Sequence, residues 1–237
     1  MPSVATRPRD FVRVAGPDAE DFLQRMVSND VANGDCEALL LTPKARIIAP
    51  LRIVRRAPHD FLVMTEPGLG DTVRVQLLRS RFNAKVEIEP EEHQSWLVLG
   101  EVEVLDERPE GEEASDDDVE RWRIESGVPR WGHELDDTIL PAEAGLEQTH
   151  ISFTKGCYPG QEPIARQHHR GKVNRRLRIL DLEGDAELGD DLLLDGKRVG
   201  RITSAVPGVA LGYVRTEVPD DAQLQFAAKA GFARLRQ

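Results

Sequence analysis

The sequence predicts an α+β body followed by a small all-β unit of barrel type. Three observations carry that reading. Over the first half, segments of helical and of alternating apolar spacing are intermixed with short returns. From Val173 onward helical periodicity vanishes, and short strand-like runs punctuated by glycine take over. Between them lies a stretch, 127–160, rich in Gly and Pro. The expected division is a body over 1–170 and a barrel over 171–237.

Phe11 to Val14 alternates like a strand end, and Gly16-Pro17-Asp18 opens a helix with Pro17 near its first position. Phe22, Leu23, Met26 and Val27 give that helix one apolar face, and Asn29, Asn33 and Gly34 mark its end. Strands are expected at Ala38 to Leu41 and Ile47 to Val54, separated by Thr42-Pro43-Lys44, and again at Phe61 to Thr65. Leu69, Val73 and Leu77 recur every four residues and predict a second helix to about Arg81. Val86 and Ile88 alternate with acids, and Trp96 to Leu105 reads as one further strand. The acids Glu112, Glu113, Asp116, Asp117 and Asp118, with Pro109 and Gly111, predict a solvated loop before a short helix over Val119 to Glu125. Pro163 suits the start of a helix through His169. In the barrel, Leu177 and Ile179 alternate, Leu192 to Leu194 meets the hairpin dipeptide Asp195-Gly196, and Val199 to Thr203 and Val209 to Val214 follow.

The chain has 237 residues, 40% hydrophobic and 31% charged, an ordinary balance for a soluble globular protein. No run approaches the ~18 apolar residues of a membrane span, and no apolar stretch of secretory type follows the N-terminus. Two cysteines, Cys36 and Cys157, are too few for a disulfide framework, so free thiols and the cytoplasm are expected. A net charge of −11 weighs against a protein whose main task is gripping nucleic acid.

The most informative stretch is Lys155-Gly156-Cys157-Tyr158-Pro159-Gly160-Gln161-Glu162. Glycines and prolines around one cysteine describe a tight loop. Lys155 and a following helix start favour the thiolate, which makes Cys157 a nucleophile, a redox-sensitive thiol or a soft-metal ligand. The plainer alternative is a small residue filling space. Downstream, Arg166, Arg170, Lys172, Arg175, Arg176 and Arg178 form a basic segment with no acid between Glu162 and Asp181. It fits a polyanion such as a glutamyl tail, phosphates or an RNA backbone; the alternative is a solvated strand face. His168 and His169 are adjacent, point apart on a helix, and lack the spacing of a metal site, so no metal is expected.

The octapeptide resembles the K-G-C-Y-x-G-Q-E signature of the YgfZ family, which is similar to the aminomethyltransferase (T-protein) of the glycine cleavage system. Phe22-Leu23-Gln24 with Ser28-Asn29-Asp30-Val31, Gly127-Val128-Pro129, Leu140 to Leu146 and Leu211-Gly212-Tyr213-Val214-Arg215 resemble further family segments. The resemblance runs from about Phe11 to the end. It implies an aminomethyltransferase-like folate-binding body with a central hole, a C-terminal β-barrel, and tetrahydrofolate or a derivative as cofactor. It also implies service to iron–sulfur proteins or their assembly factors, including tRNA-modifying enzymes, through Cys157. In this reading Lys155 poises the thiol, Gly156 and Gly160 belong to the motif loop, and Tyr158, Gln161 and Glu162 shape that loop and face the folate cavity. Direct contact with tRNA is the weaker partner reading, and no membrane is expected. Arg121-Trp122-Arg123-Ile124-Glu125-Ser126-Gly127 resembles the transferases' R-L-E-A-G segment, which implies Arg123 and Glu125 as folate contacts, Arg123 for the anionic tail. Two departures stand out. The transferases' aspartate pair corresponds to Ala49 and Pro50, and their asparagine on the next strand corresponds to Thr65. Without that carboxylate the developing charge lacks its anchor, so active aminomethyl transfer is not expected; a folate-dependent one-carbon transferase remains the alternative.

Overall fold

The computed structural model describes residues 1–101, 103–171 and 173–236. Its elements in chain order are β1 (Ser3–Thr6), β2 (Asp10–Ala15), α1 (Ala19–Met26), β3 (Cys36–Leu41), β4 (Ile47–Ala57), β5 (Asp60–Thr65), α2 (Gly70–Arg79), β6 (Glu87–Glu91), β7 (Ser95–Val98), β8 (Glu103–Leu105), β9 (Glu112–Glu113), α3 (Asp116–Glu125), α4 (Glu147–His150) and α5 (Gln161–Arg170), followed by β10 (Arg175–Glu183), β11 (Asp191–Leu194), β12 (Lys197–Val206), β13 (Val209–Arg215), β14 (Gln223–Phe226) and β15 (Phe232–Leu235). The architecture is α+β, as the sequence predicts: a five-stranded sheet β3-β4-β5-β2-β6, a smaller sheet β8-β7-β1-β9, and a closed barrel β10-β13-β12-β11-β14-β15.

The β3–β4 side of the five-stranded sheet is buried on both faces. One face receives α1 and α2: Phe22, Leu23 and Met26 join Val73 and Leu77 over Val12, Val14, Leu40, Ala49 and Ile53 in one core. The other face of β3 and β4 carries Leu39, Leu41 and Ile47 against Leu135, Ile139, Leu146, Ile151, Tyr158 and Ile164 of the long connection. Alternation along β3 therefore sends successive residues into two different cores. In the barrel, Leu180, Leu192, Ile202, Ala210, Val214, Leu224 and Ala233 fill the interior. Asp195 and Gly196 both take positive φ, 51° and 75°, the conformation that a tight two-residue hairpin needs.

Several boundaries differ from the sequence reading. β1 escapes it because four residues offer too short a pattern, yet Val4 and Ala5 are buried where β1 pairs with β7 and β9. Trp96 to Leu105 is an antiparallel hairpin, β7 and β8, rather than one strand. Part of the acidic stretch is ordered: Glu112 and Glu113 pair with β1, and Ser115 caps α3 reciprocally with Asp118, so that helix starts before Val119. Helix α5 begins two residues ahead of Pro163, which sits within its first turn. The barrel gains β14 and β15, which complete the closure by pairing with β11 and β10.

Candidate functional site

The octapeptide is held by what surrounds the cysteine. Lys155 Nζ donates to the backbone carbonyls of Val27 (2.9 Å) and Asn29 (2.6 Å), just past the C-terminal end of α1, where a cation complements the helix dipole. Burial lowers its pKa to about 8, against the opposing pull of Asp30 and Cys36. Lys155 therefore acts as a clamp between loop and helix, and the thiol nearest to it in electrostatic effect is that of Cys36, itself pushed up to about 11 by burial. Tyr158 is 7% exposed and packs in the second core; its hydroxyl is buried with no hydrogen-bond partner among the described residues, and burial pushes it up to about 12. Gly160 takes φ 87° as the residue before α5, and a Cβ there would lie 2.8 Å from the Thr42 carbonyl oxygen, so only glycine lets the loop lie on the 42–45 turn. Between these fixed points Gly156 and Cys157 are exposed. Gln161 is half-buried, and Glu162 points outward in the first turn of α5.

A cavity of about 260 Å³ lies over β3 and β4, bordered by the start of the chain, β8, α3 and the long connection. Pro50, Leu97, Trp122, Val128, Pro129, Leu135 and Leu146 supply its apolar wall. Its polar lining is Arg7, Arg9, Glu37, Arg52, Glu66, Glu101, Glu103 and His150. Arg9 forks onto both oxygens of Glu103 (3.0 and 2.9 Å) and reaches Glu66 (2.8 Å). Burial works to raise Glu103, but the Arg9 bonds and charge win and hold it below the usual carboxylate range. Glu37 is pushed up by burial against the pull of Arg52, which donates to its Oε1 at 3.1 Å. His150 is drawn down to about 4 by burial and is neutral near pH 7.

The residues that the resemblance marks as folate contacts lie elsewhere. Arg123 is 7% exposed, and all five of its N–H donors are engaged: Glu120 (2.9 and 2.8 Å), Val128 O (2.8 Å), Glu134 (2.9 Å) and Ser204 (2.6 Å). No guanidinium donor remains for a ligand tail, and the side chain instead ties α3 to the long connection and to the barrel. This corrects the expected role, because a buried arginine must find carboxylates inside the protein. Glu125 is exposed and pairs with Arg121 at 3.4 Å, one helical turn away. Thr65 is fully buried; its hydroxyl donates to the Pro50 carbonyl (2.8 Å), just past the last paired residues of β4 and β5. Ala49 points into the first core, and Pro50 borders the cavity.

The basic segment is described only in part. Arg166 is exposed on α5, Arg175 pairs with Glu143 and Arg178 with Asp220, while Lys172 and the Arg170 side chain lie outside the described residues. His168 stacks on Phe153 with ring centroids 4.1 Å apart. Among the described residues no group of three His, Cys, Asp or Glu is arranged to hold a metal ion, and no helix is long and apolar enough to cross a membrane. Sequence reasoning missed Arg7, Arg9, Glu37 and His150. A signal existed for Glu37: it shares the alternation of Leu39 and Leu41 and so falls on a buried strand face.

Residues 174–235 match the family described as CAF17, C-terminal beta-barrel domain. The mitochondrial iron-sulfur cluster assembly factor IBA57 of Mus musculus is 26% identical over 272 residues, which cover 88% of this chain and 76% of that protein. The aminomethyltransferase of Nostoc sp. is 30% identical over 209 residues, 86% of this chain and 47% of that longer protein. The crystal structure of glycine cleavage system aminomethyltransferase T from Bartonella henselae shares the fold, with a TM-score of 0.82 over 98% of this chain and 83% of that one at 16% identity. The chain is thus a homologue of the aminomethyltransferases and of the IBA57 assembly factors, an aminomethyltransferase-like body that carries a CAF17-type C-terminal β-barrel.

Proposed function

We propose that this protein is a folate-binding accessory factor for iron–sulfur cluster assembly or repair and that it acts through Cys157. The observation that carries the reading is an exposed thiol on an anchored loop: Cys157 faces solvent while Lys155, Tyr158 and Gly160 on either side are fixed to the body. A cysteine with a packing role would be buried. A thiol presented in this way is open to a partner protein and, as thiolate, is a soft ligand for iron in a cluster that is cargo rather than a resident group. The similarity to IBA57 supplies the context.

In this reading the cavity receives the folate head group. Its volume, about 260 Å³, lies just below the usual range of ligand pockets, so it suits a bicyclic heterocycle with the remainder of the molecule outside. Trp122, Pro50 and Leu97 offer flat apolar walls, and several polar groups converge on them. Aminomethyl transfer is disfavoured: Ala49 is in the core, and Pro50 offers the cavity no side-chain polar atom. In this reading the body, 1–170, holds folate and cysteine, and the barrel, 171–237, packs against α3 of the body through Val209 and Leu211. Client enzymes that modify tRNA, and work in the cytoplasm with free thiols, belong to the same proposal.

The test is complementation of a strain that lacks its own relative, read by the activity of an iron–sulfur enzyme. Cys157→Ser is expected to abolish rescue while Cys36→Ser keeps it. Full rescue by Cys157→Ser overturns the thiol role. Anaerobic calorimetry with tetrahydrofolate tests the ligand half, with saturable micromolar binding expected.

A further inference from the structure

The charged residues around the cavity are not equally satisfied. Arg9 and Glu103 hold each other through two bonds, and Ser95 adds a third to Glu103. Arg7 is different. Its guanidinium makes no hydrogen bond among the described residues; its nearest acidic oxygens, on Glu66 and Glu103, are both 3.7 Å away. Glu37 is different too. Its Oε1 accepts from Arg52, while its Oε2 lies 3.9 Å from His150 Nε2 and has no donor among the described residues. Both side chains line the cavity. Antiparallel register pairs Leu39 with Pro50 and Glu37 with Arg52, so Glu37 stands one cross-strand pair along from Pro50 on the same face of the sheet. The strand beside β4 thus returns a carboxylate to a wall where β4 itself offers Pro50, Leu51 and Arg52 but no acidic side chain.

We propose that Glu37 and Arg7 are the polar anchors of this cavity and read the donor–donor–acceptor edge of a 2-amino-4-oxopyrimidine ring. Glu37 accepts from the ring N–H and the exocyclic amino group, and Arg7 donates to the adjacent ring carbonyl. The inference rests on the folate reading for its choice of ligand, since pterins carry that edge; guanines carry it too. It replaces Arg123, whose donors are all engaged, and the position of Pro50, which has no side-chain polar atom. A buried group built to hydrogen-bond a ligand discriminates strongly against analogues that leave it unpaired.

The experiment is anaerobic calorimetry on wild type, Glu37→Gln and Arg7→Met, titrated with tetrahydrofolate, its 2-desamino analogue, and guanosine. Glu37→Gln keeps an acceptor for Arg52, and urea midpoints verify that each variant is folded. Both variants are expected to bind tetrahydrofolate about ten- to a hundredfold more weakly, the range for charge-assisted hydrogen bonds. The desamino analogue is expected to bind wild type more weakly by a similar factor and to lose little more on Glu37→Gln, because both changes delete one interaction. Tetrahydrofolate binding that is unchanged in both variants overturns the inference and leaves the folate reading standing. Guanosine binding without tetrahydrofolate binding, sensitive to Glu37→Gln, supports the anchors and overturns the folate reading. Wild type that binds none of the three overturns both.

Discussion

Two clusters of arginine and glutamate in this protein have opposite characters. At the junction of body and barrel, Arg123 fills every donor on Glu120, Glu134, Val128 and Ser204, and Glu134 is 1% exposed. At the cavity, among the described residues, the Arg7 guanidinium has no hydrogen bond and one carboxylate oxygen of Glu37 has no donor. The first cluster is complete within the chain and serves architecture; the second is completed only from outside. Count and type of charge are similar in both. What separates them is satisfaction, and satisfaction is what distinguishes a structural ion pair from a recognition site.

The largest expected effect sharpens that contrast. Arg123→Ala strands the buried Glu134 carboxylate and is expected to cost about 3–5 kcal/mol in urea unfolding. Arg7→Ala removes only long ion pairs and is expected to cost under about 1 kcal/mol. Equal losses would erase the distinction. Next comes acid sensitivity at the cavity. His150 titrates near the ordinary histidine value of 6.5 when unfolded and at about 4 when folded, so the unfolded chain binds a proton that the native state refuses between those values. Stability is expected to fall as pH drops from about 6.5 to about 4, by as much as ~3 kcal/mol from this group. His150→Gln is expected to flatten that window; an unchanged slope refutes the assignment.

Smaller effects separate the two ends of the cysteine loop. Gly160→Ala forces a Cβ into a left-handed residue against the Thr42 carbonyl, and thermal unfolding is expected to register a cost of about 1–3 kcal/mol or more. Cys157→Ser, three residues earlier, is expected to shift stability by less than about 0.5 kcal/mol because the side chain is exposed. A large loss there would make the cysteine structural and remove the contrast with its neighbours.

Much of the fold was legible. The helical face of Phe22, Leu23 and Met26, the strands around Leu40, Ile53 and Phe61, and the Asp195-Gly196 hairpin all follow from local periodicity and turn chemistry. So was the octapeptide as a stiff loop. What stayed hidden depends on partners distant in sequence. Chain proximity suggests that Lys155 poises Cys157, its neighbour two residues on, but its ammonium is held by Val27 and Asn29, more than a hundred residues away along the chain. Arg123 was read as a ligand contact because motif position says nothing about how many carboxylates fold around it. β1 and β9 are too short to announce themselves and exist because each finds an edge to pair with.

The sequence by itself determined the elements, the order of body and barrel, and the cysteine loop, because those rest on spacing and backbone preference within a few residues. Only the tertiary structure decided which charges are satisfied and which are free. Hydrogen bonds and ion pairs are made between side chains brought together by packing, and burial decides what each is worth. Arg7 and Glu37 share no motif in the chain; the cavity makes them neighbours in function.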